Sequence, residues 1–516
     1  EDPAARVRVG ELGGVQAVLD AMHAHQCAGG VQEAGCGVLS ELAFVPALQM
    51  QVVSEGGVRA AVDALRGHLS CPAVCAKAAR ALCNVAFESA AVHLQVATEG
   101  GIAALVAAMR AHPASPRVQA EGCGAVCNLA ASNDGNWRAI AQLGGAAAVV
   151  AGMLAHAAQE DVQVKGCAAV CSLTSAKEAR ATMVLDGAVG AVVKAMLMHA
   201  DVEEVQCKGS TALFNLAEHD PEVAARVGRQ GGVAAIVKGA AQHEARARVQ
   251  SKAFRALAAL SLARENQPHC ARQGALEGVV TAMRRHANEP EVHQSACLLL
   301  TSLCKDGANL DRLVFLGAPQ ALVESMAEFS GSSGHVTDVC HLLSLLCLSE
   351  DARALLLQPA TLRSLAASVS AHMQSPESSV AAAVHRLERA LSSLEARMAL
   401  KGEAPDTVDA LRRSRQKGNR RPISALLRST DRVAFETRGG GGNDAPPLGS
   451  SRPLSSSPSS AARATVRPRQ RPRSALLLSA EQRAAGGGGA AVRDLRDQAR
   501  DTPAGEGGRV SHAQAG

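Results

Sequence analysis

Tyrosine is absent from this 516-residue chain, tryptophan occurs once and phenylalanine seven times, so aromatic residues make up only 2%. Yet 47% of the residues are hydrophobic. A core of that size without aromatic anchors has to be assembled from Ala, Val, Leu, Cys and Met. That favours closely packed helices over strand-rich folds, which lean on β-branched and aromatic residues together. No uninterrupted apolar run reaches the roughly 18–20 residues of a membrane-spanning helix. A Walker-type phosphate loop, a His-Glu-x-x-His pair and a nucleophile elbow are all missing, so no motif points to catalysis. The chain opens at Glu1 rather than Met, which leaves room upstream for another domain or a targeting segment.

Disulfide scaffolds are short and dense in cysteine, and fifteen cysteines in a chain of this length do not fit that description. Reduced, buried thiols in a cytosolic or nuclear protein are expected. Charge is unevenly spread. Residues 401–475 carry 16 Lys/Arg against 6 Asp/Glu, residues 476–516 five against five, and residues 1–400 carry 32 against 37. A mildly acidic body therefore bears a basic tail.

Two phrases repeat in step. The first reads "VQEAGCGVLSELA" from Val31, "VQAEGCGAVCNLA" from Val118, "VQVKGCAAVCSLT" from Val162 and "VQCKGSTALFNLA" from Val205. Weaker copies begin at Val74, Val249, Val292, Val336 and Val380, so successive starts lie 43 or 44 residues apart. The second is a junction glycine at Gly13, Gly56, Gly100, Gly144, Gly187, Gly231, Gly274 and Gly317. An apolar helix of ten to twelve residues follows each glycine and ends near a His. A polar link leads to the helix that begins at the repeated Val, and a shorter helix leads to the next glycine. Positions +4, +8 and +11 from the Val fall on one narrow stripe at 100° per residue, for example Gly122, Val126 and Leu129. Position +4 is Gly or Ala in the first seven copies, which predicts that another backbone approaches there.

A period of 40–47 residues with two or three helices is that of the HEAT and armadillo solenoids. The short helix, the Gly-Gly-Val helix and the "VQ-x-x-G-C-x-A-L-x-N-L-A" phrase resemble the armadillo repeat. Phrases such as "AMRAHPASPRVQAEGCGAVCNLA" are similar to the armadillo arrays of leucine-rich-repeat kinases. The resemblance implies an all-α, right-handed armadillo-type solenoid of about nine repeats over 1–398. Copies eight and nine depart from the phrase, as capping units do. From 399 to 516 two four-glycine runs, "SSRPLSSSPSS" and scattered Arg predict a mainly disordered basic tail.

Seven histidines stand twelve residues after a junction glycine, at His25, His68, His112, His156, His199, His243 and His286. Rungs some 8–10 Å apart are too distant to share a zinc ion, whose ligands sit about 2 Å away. The histidines are instead expected in the last turn of the middle helix, facing free carbonyls and the negative dipole end. The pairs Cys123/Cys127 and Cys167/Cys171, and the repeated Met (Met22, Met109, Met153, Met196, Met283, Met326), read as core filler. No metal and no cofactor is expected. In the tail, "RPISALLR" 421–428 and "RPRSALLL" 471–478 place Arg three residues before Ser424 and Ser474, as a basic-directed kinase requires.

In the armadillo family, positions +3, +6 and +10 of the long helix line the concave face. The matching residues here predict a groove built from Lys77, Arg80, Asn84, Asn128, Lys165, Ser172, Lys208, Asn215, Lys252 and Arg255, with Glu41 and Glu121 the acidic members. Asn side chains can bond both C=O and N–H of an extended peptide, and Lys or Arg attract carboxylate and phosphate. The expected function is a non-catalytic scaffold, a monomer in the cytoplasm with the nucleus as a second site, binding an extended acidic or phosphorylated segment. A nuclear-import adaptor is the first alternative. It would place Trp one turn before the groove Asn, where Arg80, Gly124 and Thr211 stand instead, and Trp137 lies outside the long helix. A regulatory fragment of a larger multidomain enzyme is the second. Nucleic acid is disfavoured, because the tail has no aromatic stacking platform beyond Phe435.

Overall fold

The computed structural model describes residues 3–401, apart from 88, 132 and 371–378. The tail from 402 onward, with Ser424 and Ser474, lies outside the described residues. All eight junction glycines take the left-handed backbone, with φ between 70° and 100°, which strains any residue with a Cβ. Each ends a short opening helix and turns the chain into a middle helix. The bends are 72° between Ala90–Thr98 and Gly101–Ala111, 70° at the next junction and 78° at the one after. A long third helix completes the unit, as in Gly14–Ala24 followed by Gly29–Ala43.

Nine such triplets run from Pro3–Glu11 to Ser379–Lys401, and no strand occurs among the described residues. In the seventh unit a 3-10 turn, Arg264–Asn266, precedes a shortened opening helix, Gln267–Arg272. The long helices of successive units pack side by side in chain order, so each unit touches chiefly its neighbours. The fold is an all-α solenoid of the armadillo type. Among the described residues no single helix is long and apolar enough to cross a membrane.

The core follows the predicted stripe: Val126, Leu129, Leu213 and Leu216 are buried, and so are the repeated methionines. The small residue at +4 has a different cause from the one expected. No second backbone lies there; the methionine of the same unit's middle helix does. A Cβ on Gly122 would sit 2.6 Å from Met109 Cγ, and one on Gly209 2.6 Å from Met196 Cγ. An unbranched thioether fills a notch that the missing side chain leaves.

The eighth repeat begins one residue earlier than its valine suggests. In the first seven units the repeated Val stands three residues after the N-cap of the long helix; in the eighth that N-cap is Ser332, so His335 rather than Val336 holds the place. Val339, Leu343 and Leu346 then fall on the buried stripe.

Candidate functional site: the face of the long helices

Three recurring sets of polar side chains tie neighbouring segments together, and one of them lies where a ligand was expected. The glutamine after the repeated Val spans the unit from inside. Gln119 Nε2 donates to the Met109 and His112 carbonyls at 2.7 and 2.9 Å, and Gln32, Gln163, Gln206 and Gln250 do the same. Its fixed place in the repeated phrase was the available signal, although sequence reasoning gave it no role. The histidines cap their middle helices as expected, but their rings act between repeats. His68 Nε2 donates to Gln26 O at 2.8 Å, His112 to Leu69 O at 2.7 Å and His156 to Pro113 O at 2.8 Å. His199, His243 and His286 continue the ladder, each reaching the link of the preceding unit.

The asparagines are the third set, and they correct the expectation of peptide-binding rungs. Asn84 Nδ2 donates to Ser40 O at 2.9 Å, Asn128 Nδ2 to Cys83 O at 2.8 Å and Asn215 Nδ2 to Cys171 O at 3.2 Å. Each donor is spent on the long helix before it. Asn128 is buried, and its Oδ1 has no partner. Ser172 likewise bonds inward, with its Oγ 3.3 Å from Cys127 Sγ.

The cations divide into two groups. Lys165 Nζ lies 3.2 Å from Glu121 and 3.1 Å from Asp161, and both Lys165 and Glu121 are about seven-eighths buried. Burial pulls the Lys165 pKa down, but the two carboxylates outweigh it and the net shift is upward. Arg80 pairs with Glu41 at 3.2 Å, and Arg6 approaches the same carboxylate at 2.7 Å. Lys165 is therefore neutralised, while Arg80 shares the single Glu41 carboxylate with Arg6, so neither stands as the unpaired ligand-attracting charge that was expected.

Lys77, Lys208 and Lys252 are half-buried and make no ion pair among the described residues. Arg255 lies over the Phe214 ring, 4.3 Å from its centroid. Lys208 and Lys252 both act on the Cys171 thiol: burial raises its pKa, and the two ammonium groups oppose that rise. Both ammonium groups therefore lie within electrostatic reach of that thiol. Cys83 and Cys123, deeper in the same layer, are pushed up to about 12 by burial and remain thiols at neutral pH.

At the N-terminal end, where repeat one offers the small Ala34 and Gly37 beside Glu41, an open cleft of about 650 Å³ is lined by Arg6, Val9, Glu33, Val38, Glu41 and Lys77. Trp137 sits on an opening helix, its Nε1 donating to Asp134 at 3.3 Å, away from this face.

No family model matches the chain, and no curated protein sequence is similar to it. Among solved structures it is similar to an engineered protein from a structural genomics consortium, at 22% identity and a TM-score of 0.54, over 73% of this chain and 98% of that one. It is also similar to a designed armadillo repeat protein in complex with the peptide (KR)4, at 23% identity and a TM-score of 0.41, over 48% of this chain and 98% of that one.

Proposed function

We propose that this chain is a non-catalytic protein-binding scaffold whose long-helix face takes an extended acidic or phosphorylated segment across repeats five and six. The observation that carries this reading is the pair Lys208 and Lys252. They occupy the same position in adjacent repeats, half-buried, without an acidic partner among the described residues. Like charges one repeat apart, about 8–10 Å at the helix spacing, form a positive strip that an anion lying between them would bridge. A carboxylate or phosphoryl group there would gain charge-assisted hydrogen bonds, and the reduced screening beside half-buried ammonium groups would offset its cost of desolvation. Arg255, stacked on Phe214, extends the site by one cationic, planar donor.

The import-adaptor alternative gains no support from the residues on this face. Its acidic members, Glu41 and Glu121, are already paired with this chain's own cations. The likeness to arrays of leucine-rich-repeat kinases rests on the phrases of copies one to seven, and it supports only the reading that the array regulates by binding. Free, mostly buried thiols support placement in a reducing compartment, the cytoplasm or nucleus.

The test uses a twelve-residue peptide rich in Glu and phosphoserine, with a Lys/Arg-rich peptide as control. The wild-type chain is expected to bind the acidic peptide, more weakly at high salt. Lys208→Glu/Lys252→Glu should remove that binding without changing helicity. Unchanged binding in the double variant, or preference for the basic peptide, refutes the assignment.

A further inference from the structure

The glutamine that braces five of the first six units from inside is replaced by histidine in the seventh repeat. His293 Nε2 donates to His286 O at 3.1 Å, doing part of the work of that glutamine. Its Nδ1 is then the unprotonated nitrogen, and it is buried with no hydrogen-bond partner. The eighth repeat brings two further aromatic rings against it. Phe329 stands where the other units carry the capping His, its centroid 5.0 Å from that of His293. His335 stands where they carry the repeated Val. Its ring centroid lies 6.3 Å from that of His293 and 5.3 Å from that of Phe329. His335 Nε2 is 2.7 Å from Ser325 Oγ, which occupies a position held by Ala or Gly in the first seven units.

We propose that the His293–Phe329–His335 cluster is an acid-sensitive latch between repeats seven and eight, whose protonation releases the last two units from the stack. The argument is first geometric. A proton added to His293 must go to Nδ1, where no acceptor waits, and would leave a buried charged donor unpaired. A proton on His335 would place a second charge beside the first.

The surrounding groups do little to offset this. His286, at the C-cap of the middle helix of repeat seven, opposes a charge on His293 through its ring, while its own carbonyl and that of Met283 favour one, and burial outweighs both carbonyls. Glu328 faces it from the middle helix of repeat eight as a single carboxylate, opposed by burial. Ser325, on that same helix, is neutral. Asp338, one turn beyond His335, has its own pKa raised by burial and faces Cys297 and His341. Burial lowers the pKa of both cluster histidines, and that of His335 falls from 6.5 to about 4.

In the released state both rings are solvated and titrate near their ordinary value. The open form therefore binds protons that the closed form refuses. The latch is fully closed above about pH 6.5 and loses its advantage as pH falls from there toward 4. His335 alone raises the opening equilibrium roughly 30-fold at pH 5 relative to pH 8.

The test is hydrogen exchange of the full chain between pH 8 and pH 5, read as protection factors so that intrinsic exchange cancels. Wild type should lose about tenfold to a hundredfold of its protection over 317–401. His293→Gln/Ser325→Ala/His335→Val installs residues that sister repeats already carry at these positions, and it should abolish that loss. His93, a lone buried histidine in the third unit, remains in both proteins and cancels in the comparison. An equal loss in wild type and the triple variant overturns the proposal. So does a His335 ring that titrates near 6.5 in the closed wild-type chain, a measurement that needs no variant.

Discussion

Lys165 and Lys208 hold the same position in consecutive repeats and meet opposite surroundings. Lys165 stacks above Glu121 and is neutralised in a nearly closed pocket. Lys208 stacks between Lys165 and Lys252 and has no acidic neighbour within ion-pair distance among the described residues. Within one repeat the two are indistinguishable. In a solenoid the neighbour that matters is the residue one period away, so the charge of a groove is decided by columns across repeats rather than by rows within them.

Four changes probe this contrast. The largest effect is expected for Lys208→Glu/Lys252→Glu, which reverses the open column. Affinity for the acidic peptide should fall at least about a hundredfold, near 3 kcal/mol, with the melting temperature nearly unmoved. Titration calorimetry beside a thermal melt reads both numbers.

Next comes the closed column. Glu121→Gln leaves the Lys165 ammonium buried beside Asp161 alone, and stability should drop by about 1–3 kcal/mol while acidic-peptide affinity rises slightly. Should Glu121→Gln prove neutral to folding, Lys165 is more solvated than the geometry indicates and the contrast collapses.

A smaller effect is expected for Asn128→Ala, which removes the bond to Cys83 O and should cost about 1 kcal/mol. Because Asn128 Oδ1 is already unpaired, the loss should be no larger than that for Asn215→Ala. Smallest of all, His199→Phe copies what repeat eight does at Phe329 and should cost about half a kcal/mol in denaturant titration.

Much of the fold was legible because its signals are periodic. The junction glycines, the apolar stripe and the repeated valine each recur on the same beat, and chance cannot keep several markers in step. What the period could not reveal was whom each polar residue faces. Asn84, Asn128 and Asn215 have the right position and chemistry for a peptide ligand, yet their donors reach the carbonyls of Ser40, Cys83 and Cys171. Sequence separations of 44 or 45 residues hide such bonds. Lys165 and Arg80 were misjudged in the same way, since their partners Glu121 and Glu41 became visible only once the columns were stacked, whereas Asp161, four residues before Lys165 on its own helix, was legible in the sequence. The one-residue shift to His335 escaped because Val336 is a better match to the phrase than the residue that takes its place.

The histidine and asparagine ladders also have a mechanical meaning. The histidines fasten repeats two to seven each to its predecessor just before the long helix begins, and in repeats two, three and five an asparagine fastens it again near that helix's last turn. At 1.5 Å per residue the fourteen- to fifteen-residue helices hold these two seams about 20 Å apart. A strip stitched along both margins resists fanning and shear far better than one stitched along its midline. Under tension it should yield by parting one whole stitch-pair at a time, so force on the array would register as a staircase of repeat-sized steps.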